Sequence, residues 1–114
     1  NAQLLTDFKS VFDIFLLTPD AGKVFEGEPE KEPLRNILEI FAESCKEVEI
    51  LDEQGYIRAA KAAMKRSNQR GKRFFMALRR ALTGMTHGPE LTKIIPILGK
   101  EEVIFRLNHA LEQI

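Results

Sequence analysis

Leu34, Ile37, Leu38, Phe41, Cys45 and Val48 recur at intervals of three and four residues. That spacing gathers all six on one face of an α-helix but scatters them over both faces of a β-strand. The same period runs along the rest of the chain. Leu4, Leu5, Phe8, Val11, Phe12, Phe15 and Leu16 predict a first helix over about residues 2–17, closed by Thr18-Pro19. A second helix is expected over about 34–47 and a third over about 53–69, with Asp52 as its N-cap. On the third, Ile57, Ala60, Ala63 and Met64 form a slim apolar face, and Gly55 predicts a weak first turn. A fourth helix, about 71–83, stops at Gly84, a residue suited to a left-handed cap. Pro89 is placed to open a fifth, which Pro96 should bend or end. After Gly99 a last helix covers about 100–113, with Val103, Ile104, Leu107, Ala110 and Leu111 turned inward. No useful stretch alternates as a strand does, and no segment repeats. The expected fold is all-α, a helical bundle of about six helices.

One compositional break interrupts this pattern. Residues 19–33 collect Pro19, Gly22, Gly27, Pro29 and Pro33 with a run of glutamates, which reads as a loop with solvated acids. It divides the chain into 1–32, the end of a preceding helical subdomain plus linker, and 33–114, a C-terminal helical subdomain. At 114 residues, with 44% apolar and 30% charged side chains, the chain suits a soluble protein with a real core. No run approaches the ~20 apolar residues that span a bilayer. There is no secretory signal pattern, and the helical period is already running near Asn1, so a fragment of a longer protein is expected.

A single cysteine cannot form an internal disulfide, which favours a cytoplasmic setting, and Cys45 sits on an apolar helical face where a core thiol belongs. His87 and His109, with that one cysteine, give no metal-ligand spacing. No nucleophile–base–acid pattern, phosphate-cradling glycine loop or dinucleotide fingerprint is present. Neither a metal nor a catalytic residue is expected.

The net charge of zero hides a strong segregation. Residues 1–57 carry a net of −8, residues 58–89 hold nine cations and no acid, and residues 90–114 carry −1. The nine are Arg58, Lys61, Lys65, Arg66, Arg70, Lys72, Arg73, Arg79 and Arg80. On a helical wheel of residues 72–83, Phe74, Phe75, Leu78, Ala81 and Leu82 fall within about 120° of one another. Lys72, Arg73, Arg79 and Arg80 take the other side, with Arg79 at the edge of the apolar stripe. Either these cations pair with acids of the N-terminal part, or they form a surface for a polyanion.

The loop that follows carries the same ambiguity. Met85-Thr86-His87-Gly88-Pro89 can simply stop one helix and start the next. It can also be a reading element: Gly88 opens the backbone, Thr86 and His87 offer donors and acceptors, and Pro89 is rigid and flat. Unstacked RNA bases are read on such surfaces. The competing class is a helical protein-interaction module whose basic face docks an acidic partner.

Over "FFMALRRALTGMTHGPELTKIIPILGKEEVIFRLNHAL" the chain resembles the bacterial glutamyl-tRNA synthetase family in its C-terminal anticodon-binding region. The family's ordered string is matched by Leu78-Arg79, Ala81-Leu82-Thr83-Gly84, Gly88-Pro89 with Leu91, and Leu98-Gly99-Lys100-Glu101. Ala77 departs from a frequent proline and Met85 from frequent polar or basic residues. The match is strong over about 71–111 and diffuse but compatible over 1–70. The resemblance implies the anticodon-binding α-helical cage of a class I aminoacyl-tRNA synthetase, a cytoplasmic and monomeric ligase that joins glutamate to tRNA-Glu with ATP and magnesium. The family's "HIGH" and "KMSKS" signatures are absent from this sequence, so the fragment is expected to hold no catalytic centre. Carried over position by position, the anticodon contacts fall on Arg79, Thr86, His87, Gly88, Pro89 and Leu91. Lys72, Arg73 and Arg80 are expected to hold phosphates, with Lys61, Lys65 and Arg66 extending that track. No membrane or DNA partner is implied.

Overall fold

The computed structural model describes residues 19, 23, 25–28, 31–86 and 88–114. The expected helix over 2–17 and the expected contact His87 lie outside these residues. Five α-helices and no strand are present among the described residues: α1 (Lys31–Glu47), α2 (Glu53–Ser67), α3 (Lys72–Thr83), α4 (Leu91–Leu98) and α5 (Lys100–Gln113). The all-α expectation holds.

Several helix ends follow from local chemistry. α1 starts three residues earlier than its apolar pattern, because Pro33 falls in the first turn, where its missing N–H has no helical partner to lose. Asp52 caps α2: its Oδ1 accepts from the Gly55 N–H at 2.7 Å. Asn68 (φ 57°) closes α2 in the left-handed conformation, and Gly71 (φ 70°) turns the chain into α3. Gly84 (φ 74°) ends α3 as expected, its N–H donating to Arg80 O at 3.0 Å.

Two local expectations are corrected. The fifth predicted helix does not open at Pro89. Its first residue is Leu91, and Glu90 takes the N-cap position with extended backbone. A helix starting at Pro89 would need the Pro89 carbonyl to accept the Lys93 N–H. That carbonyl instead accepts Arg79, and Lys93 N donates to Glu90 O at 2.9 Å. Pro96, expected to bend or end this helix, is followed by two more helical residues, and Gly99 N then donates to Ile95 O. The second correction concerns Gly55. A side chain there would place its Cβ 2.1 Å from the Ile50 carbonyl oxygen. The residue therefore permits a close backbone approach at the start of α2 rather than simply loosening that turn.

The core joins all five helices. Leu34, Ile37, Leu38, Phe41 and Cys45 are buried along α1, while Val48 is only partly covered. The Phe41 ring meets Tyr56 of α2 and Phe74 of α3 edge-on, each with centroids 6.2 Å apart. The inward face of α2 is Tyr56, Ala59, Ala60 and Ala63; Ile57 and Met64 stand at its margin. The expected slim face is thus rotated, because the small alanines let α2 pack closely while Tyr56 fills the space near Phe41. On α3 the buried arc takes in Ala77 and leaves Phe75 37% exposed, against the inward expectation. On α5 Val103, Leu107 and Ala110 are buried, and Ile104 and Leu111 are partly so.

Arg106 is also buried, at 1% exposure. Its Nη1 donates to Leu82 O at 2.7 Å and its Nε to Glu102 Oε2 at 2.8 Å. The guanidinium thus supplies a donor to a carbonyl near the C-terminal end of α3. Phe25 is fully buried beneath Arg80, whose Cζ lies 4.7 Å from the ring centroid. Glu28, expected to be solvated, pairs with Arg80 at 3.2 Å. No helix among the described residues is long and apolar enough to cross a membrane.

Candidate nucleic-acid interface

The cations of α3 are divided between two flanks of one helix. At 100° per residue, Arg79 and Phe75 lie on one side of the exposed face and Arg73 and Arg80 on the other, with Lys72 between. The packing follows this division. Lys72, Arg73 and Arg80 line a cleft of about 330 Å³ with Glu28 above an apolar floor that includes Ile37 and Ala77. Arg79 lines a separate cleft, also about 330 Å³, with Tyr56, Phe75, Glu90, Leu91 and Thr92. The residues expected to hold phosphates and the residue expected to read a base therefore open onto different clefts.

The Arg79 cleft is built by the turn that ends α3. Gly84 reverses the chain, and Thr83 fastens the reversal: its hydroxyl donates to Arg79 O at 2.7 Å and accepts from Met85 N at 3.1 Å. Gly88, at φ 142°, holds a conformation that side chains disfavour. Beyond it, Pro89 O accepts from Arg79 Nη1 at 2.8 Å. The loop is thereby tied across its mouth to the helix it leaves. Leu91 is buried and forms a wall, Pro89 is half-buried, and Thr86 and Gly88 are exposed. Of the six expected contact positions, Arg79, Gly88, Pro89 and Leu91 meet at one place.

Four lining residues were not anticipated. Tyr56 comes from the start of α2, where its position in the sequence gives no hint of a neighbour on α3. Its phenol is pushed up to about 12, first by burial, with the Arg79 charge opposing and Cys45 adding a smaller push upward. It stays neutral at ordinary pH. Phe75 presents part of its ring to the cleft. Glu90 and Thr92 stand at the mouth, with the Thr92 hydroxyl donating to Glu90 Oε2 at 3.4 Å. The cleft thus combines apolar walls, a guanidinium with one of its five N–H groups committed to protein, and an exposed carboxylate that accepts. Such a set suits a flat ring with a polar edge, held between side chains and read by a donor and an acceptor.

Part of the cationic block pairs with acids, one of the two expected arrangements. Arg66 pairs with Glu47 of α1 at 2.9 Å, and Arg80 pairs with Glu28. Lys61, Lys65, Arg70 and Lys72 make no ion pair or hydrogen bond through their side chains to any described residue. Among the described residues no three His, Cys, Asp or Glu side chains converge on a point.

A family model described as "Anticodon binding domain" matches residues 1–111. Glutamate–tRNA ligase of Geobacillus thermodenitrificans is 41% identical over 83 residues, 73% of this chain and 17% of that protein. Glutamate–tRNA ligase 1 of Fervidobacterium nodosum is 44% identical over 82 residues, 70% of this chain and 17% of that protein. Glutamate–tRNA ligase of Bacillus subtilis is 39% identical over 80 residues, again 70% and 17%. The chain thus spans about a sixth of the length of these curated relatives. No solved structure matches it. With its five described helices around one core and a cationic helix ending in a tied loop, the chain belongs to the anticodon binding domain family, as that domain occurs within glutamate–tRNA ligases.

Proposed function

We propose that the chain grips the anticodon arm of tRNA-Glu and is the anticodon-reading part of a class I, ATP-dependent glutamate–tRNA ligase. In that reading the intact parent is a cytoplasmic monomer that binds ATP and magnesium in its catalytic domain, while this chain contributes RNA binding and no catalytic residue. RNA, rather than DNA or a membrane, is its partner.

One observation carries the reading. Arg79 sits at the margin of the buried face of α3, tied by a single bond to the loop, in a cleft walled by Phe75, Tyr56 and Leu91. An unstacked anticodon base fits this arrangement, with its face on the ring of Phe75 and its edge toward Arg79 and Glu90. Thr86, Gly88 and Pro89 shape the loop over the mouth, and His87 is the further contact that the family string implies. Lys72 and Arg73 reach the phosphates on the other flank; Arg80 joins them by exchanging Glu28 for a phosphate.

The test is a titration of the 114-residue chain with anticodon stem-loops that differ by one base. The reading expects tighter binding of the glutamate anticodon, with discrimination of ~1–3 kcal/mol per base. Salt-sensitive binding without anticodon preference would overturn it and favour a basic face that docks an acidic protein.

A further inference from the structure

We propose that the C-terminal half of α2 and the turn after it form a second RNA subsite, one that holds backbone phosphates and takes no part in reading the anticodon. The proposal rests on the function given above and names a further surface for the same RNA.

Ile57, Lys61, Met64, Lys65 and Asn68 share a stripe about 100° wide along α2. Four of them, Lys61, Met64, Lys65 and Asn68, line one cleft with Arg70, a cleft of about 440 Å³ with no acidic residue in its lining. Its shape comes from the turn. Asn68 takes the left-handed conformation and Gly71 follows with φ 70°, so the chain bends and brings Arg70 back beside the helix.

Three cations in one cleft repel each other unless something neutralises them. Their neighbour Arg66 is satisfied by Glu47, on the side of α2 that faces α1. Lys61, Lys65 and Arg70 have no such partner among the described residues. The partial negative charge at the end of α2 accounts for Lys65, in its last turn. It does not account for Lys61, because that effect fades beyond the last turn. Met64, half-buried between the two exposed lysines, offers their aliphatic stems an apolar surface. Asn68 adds an exposed amide that can donate. A row of ammonium and guanidinium donors over an apolar floor fits successive phosphates of an RNA strand. It offers no fixed pairing to a base edge, so it should supply affinity without sequence information.

The experiment compares Lys61→Gln/Lys65→Gln with Lys31→Gln/Lys46→Gln in the 114-residue chain. Lys31 and Lys46 are exposed on α1, so the second variant changes net charge equally without touching the cleft. All four substitutions are at exposed positions, and circular dichroism checks that both variants fold. Binding of the glutamate-anticodon stem-loop and a one-base variant is measured from low to moderate salt. The α2 variant should bind both RNAs about tenfold more weakly at low salt, with their affinity ratio unchanged. Its slope of log affinity against log salt should flatten by about 1.5, on the scale of 0.7–0.9 per phosphate contact. The α1 variant should stay within about twofold of the parent chain. Equal loss in both variants, or no loss in the α2 variant, would overturn the subsite while leaving the anticodon reading intact; the latter is what an acidic protein docking on this face predicts. A parent chain that binds no stem-loop would overturn both.

Discussion

Arg79 Nη1 donates to the carbonyl oxygen of Pro89 at 2.8 Å, across ten residues of chain. This bond couples the cationic helix to the loop after it, and it explains why α4 starts two residues late. Arg79→Ala removes the tie and four further N–H donors. We expect stem-loop affinity to fall at least tenfold and anticodon discrimination to be blunted. Arg79→Lys keeps the charge but not the planar fork, so it should recover part of the affinity and little of the discrimination. Unaltered discrimination in either variant would remove Arg79 from the reading edge.

Arg106 provides a stability prediction that does not involve RNA. Its buried guanidinium satisfies Leu82 O and Glu102 at once. Arg106→Ala leaves that carbonyl without its donor and opens a cavity in the core. The expected cost is about 3 kcal/mol, reduced from a fully buried pair because Glu102 remains partly hydrated. Urea unfolding measures it; a cost under about 1 kcal/mol would contradict the described contacts.

Gly55→Ala sets two effects of opposite sign against each other. Helix propensity alone favours alanine by about 1 kcal/mol. The new methyl carbon would lie 2.1 Å from Ile50 O, an overlap with backbone that forces the chain to move. Overpacking of this kind costs ~1–3 kcal/mol, so net destabilisation is expected and the melting temperature should fall. A rise would mean that the segment before α2 yields freely.

Cys45 and Tyr56 predict an alkaline limit to stability. Burial pushes the Cys45 thiol from its ordinary 9.0 up to about 12, against a smaller opposing pull from the Lys100 charge. Tyr56 moves from 10.0 up to about 12. Both groups therefore hold their protons more tightly in the folded chain than in the unfolded one. Their contribution is fully present below pH 9 and is lost between pH 9 and about 12. Denaturation midpoints should be level from pH 7 to 8 and fall steadily above 9. Cys45 should also resist a thiol reagent at pH 8 until the chain unfolds.

Much of this fold could be read from the order of its residues, and the exceptions share a cause. The cap at Asp52, the stop at Gly84 and the span of α5 depend on a few neighbouring side chains, so the sequence carries them. Pro89 misleads because its carbonyl is taken by Arg79, a partner that local rules cannot supply. Arg106 lies on the same face as Val103, Leu107 and Ala110, but a charged residue is read as solvated unless a buried acceptor is known, and Leu82 O comes from another helix. Tyr56 enters the candidate cleft for the same reason: α2 meets α3 and α4 there only after folding. By contrast, the six contact positions implied by the family string lie within one short span of chain, and four of them, Arg79, Gly88, Pro89 and Leu91, come together.

The segregation of charge has a kinetic consequence. α2 and α3 together carry eight cations and one acid, whereas α1 carries four exposed acids against three cations, and Arg106 is withdrawn into the interior. The charge of a chain with zero net charge is then unevenly spread, with its cations concentrated on two neighbouring helices. An approaching polyanion exerts little net force on it at long range but a considerable torque, which turns the basic helices forward before contact. Encounter should therefore speed up as salt is lowered, even though the net charge gives no reason for it.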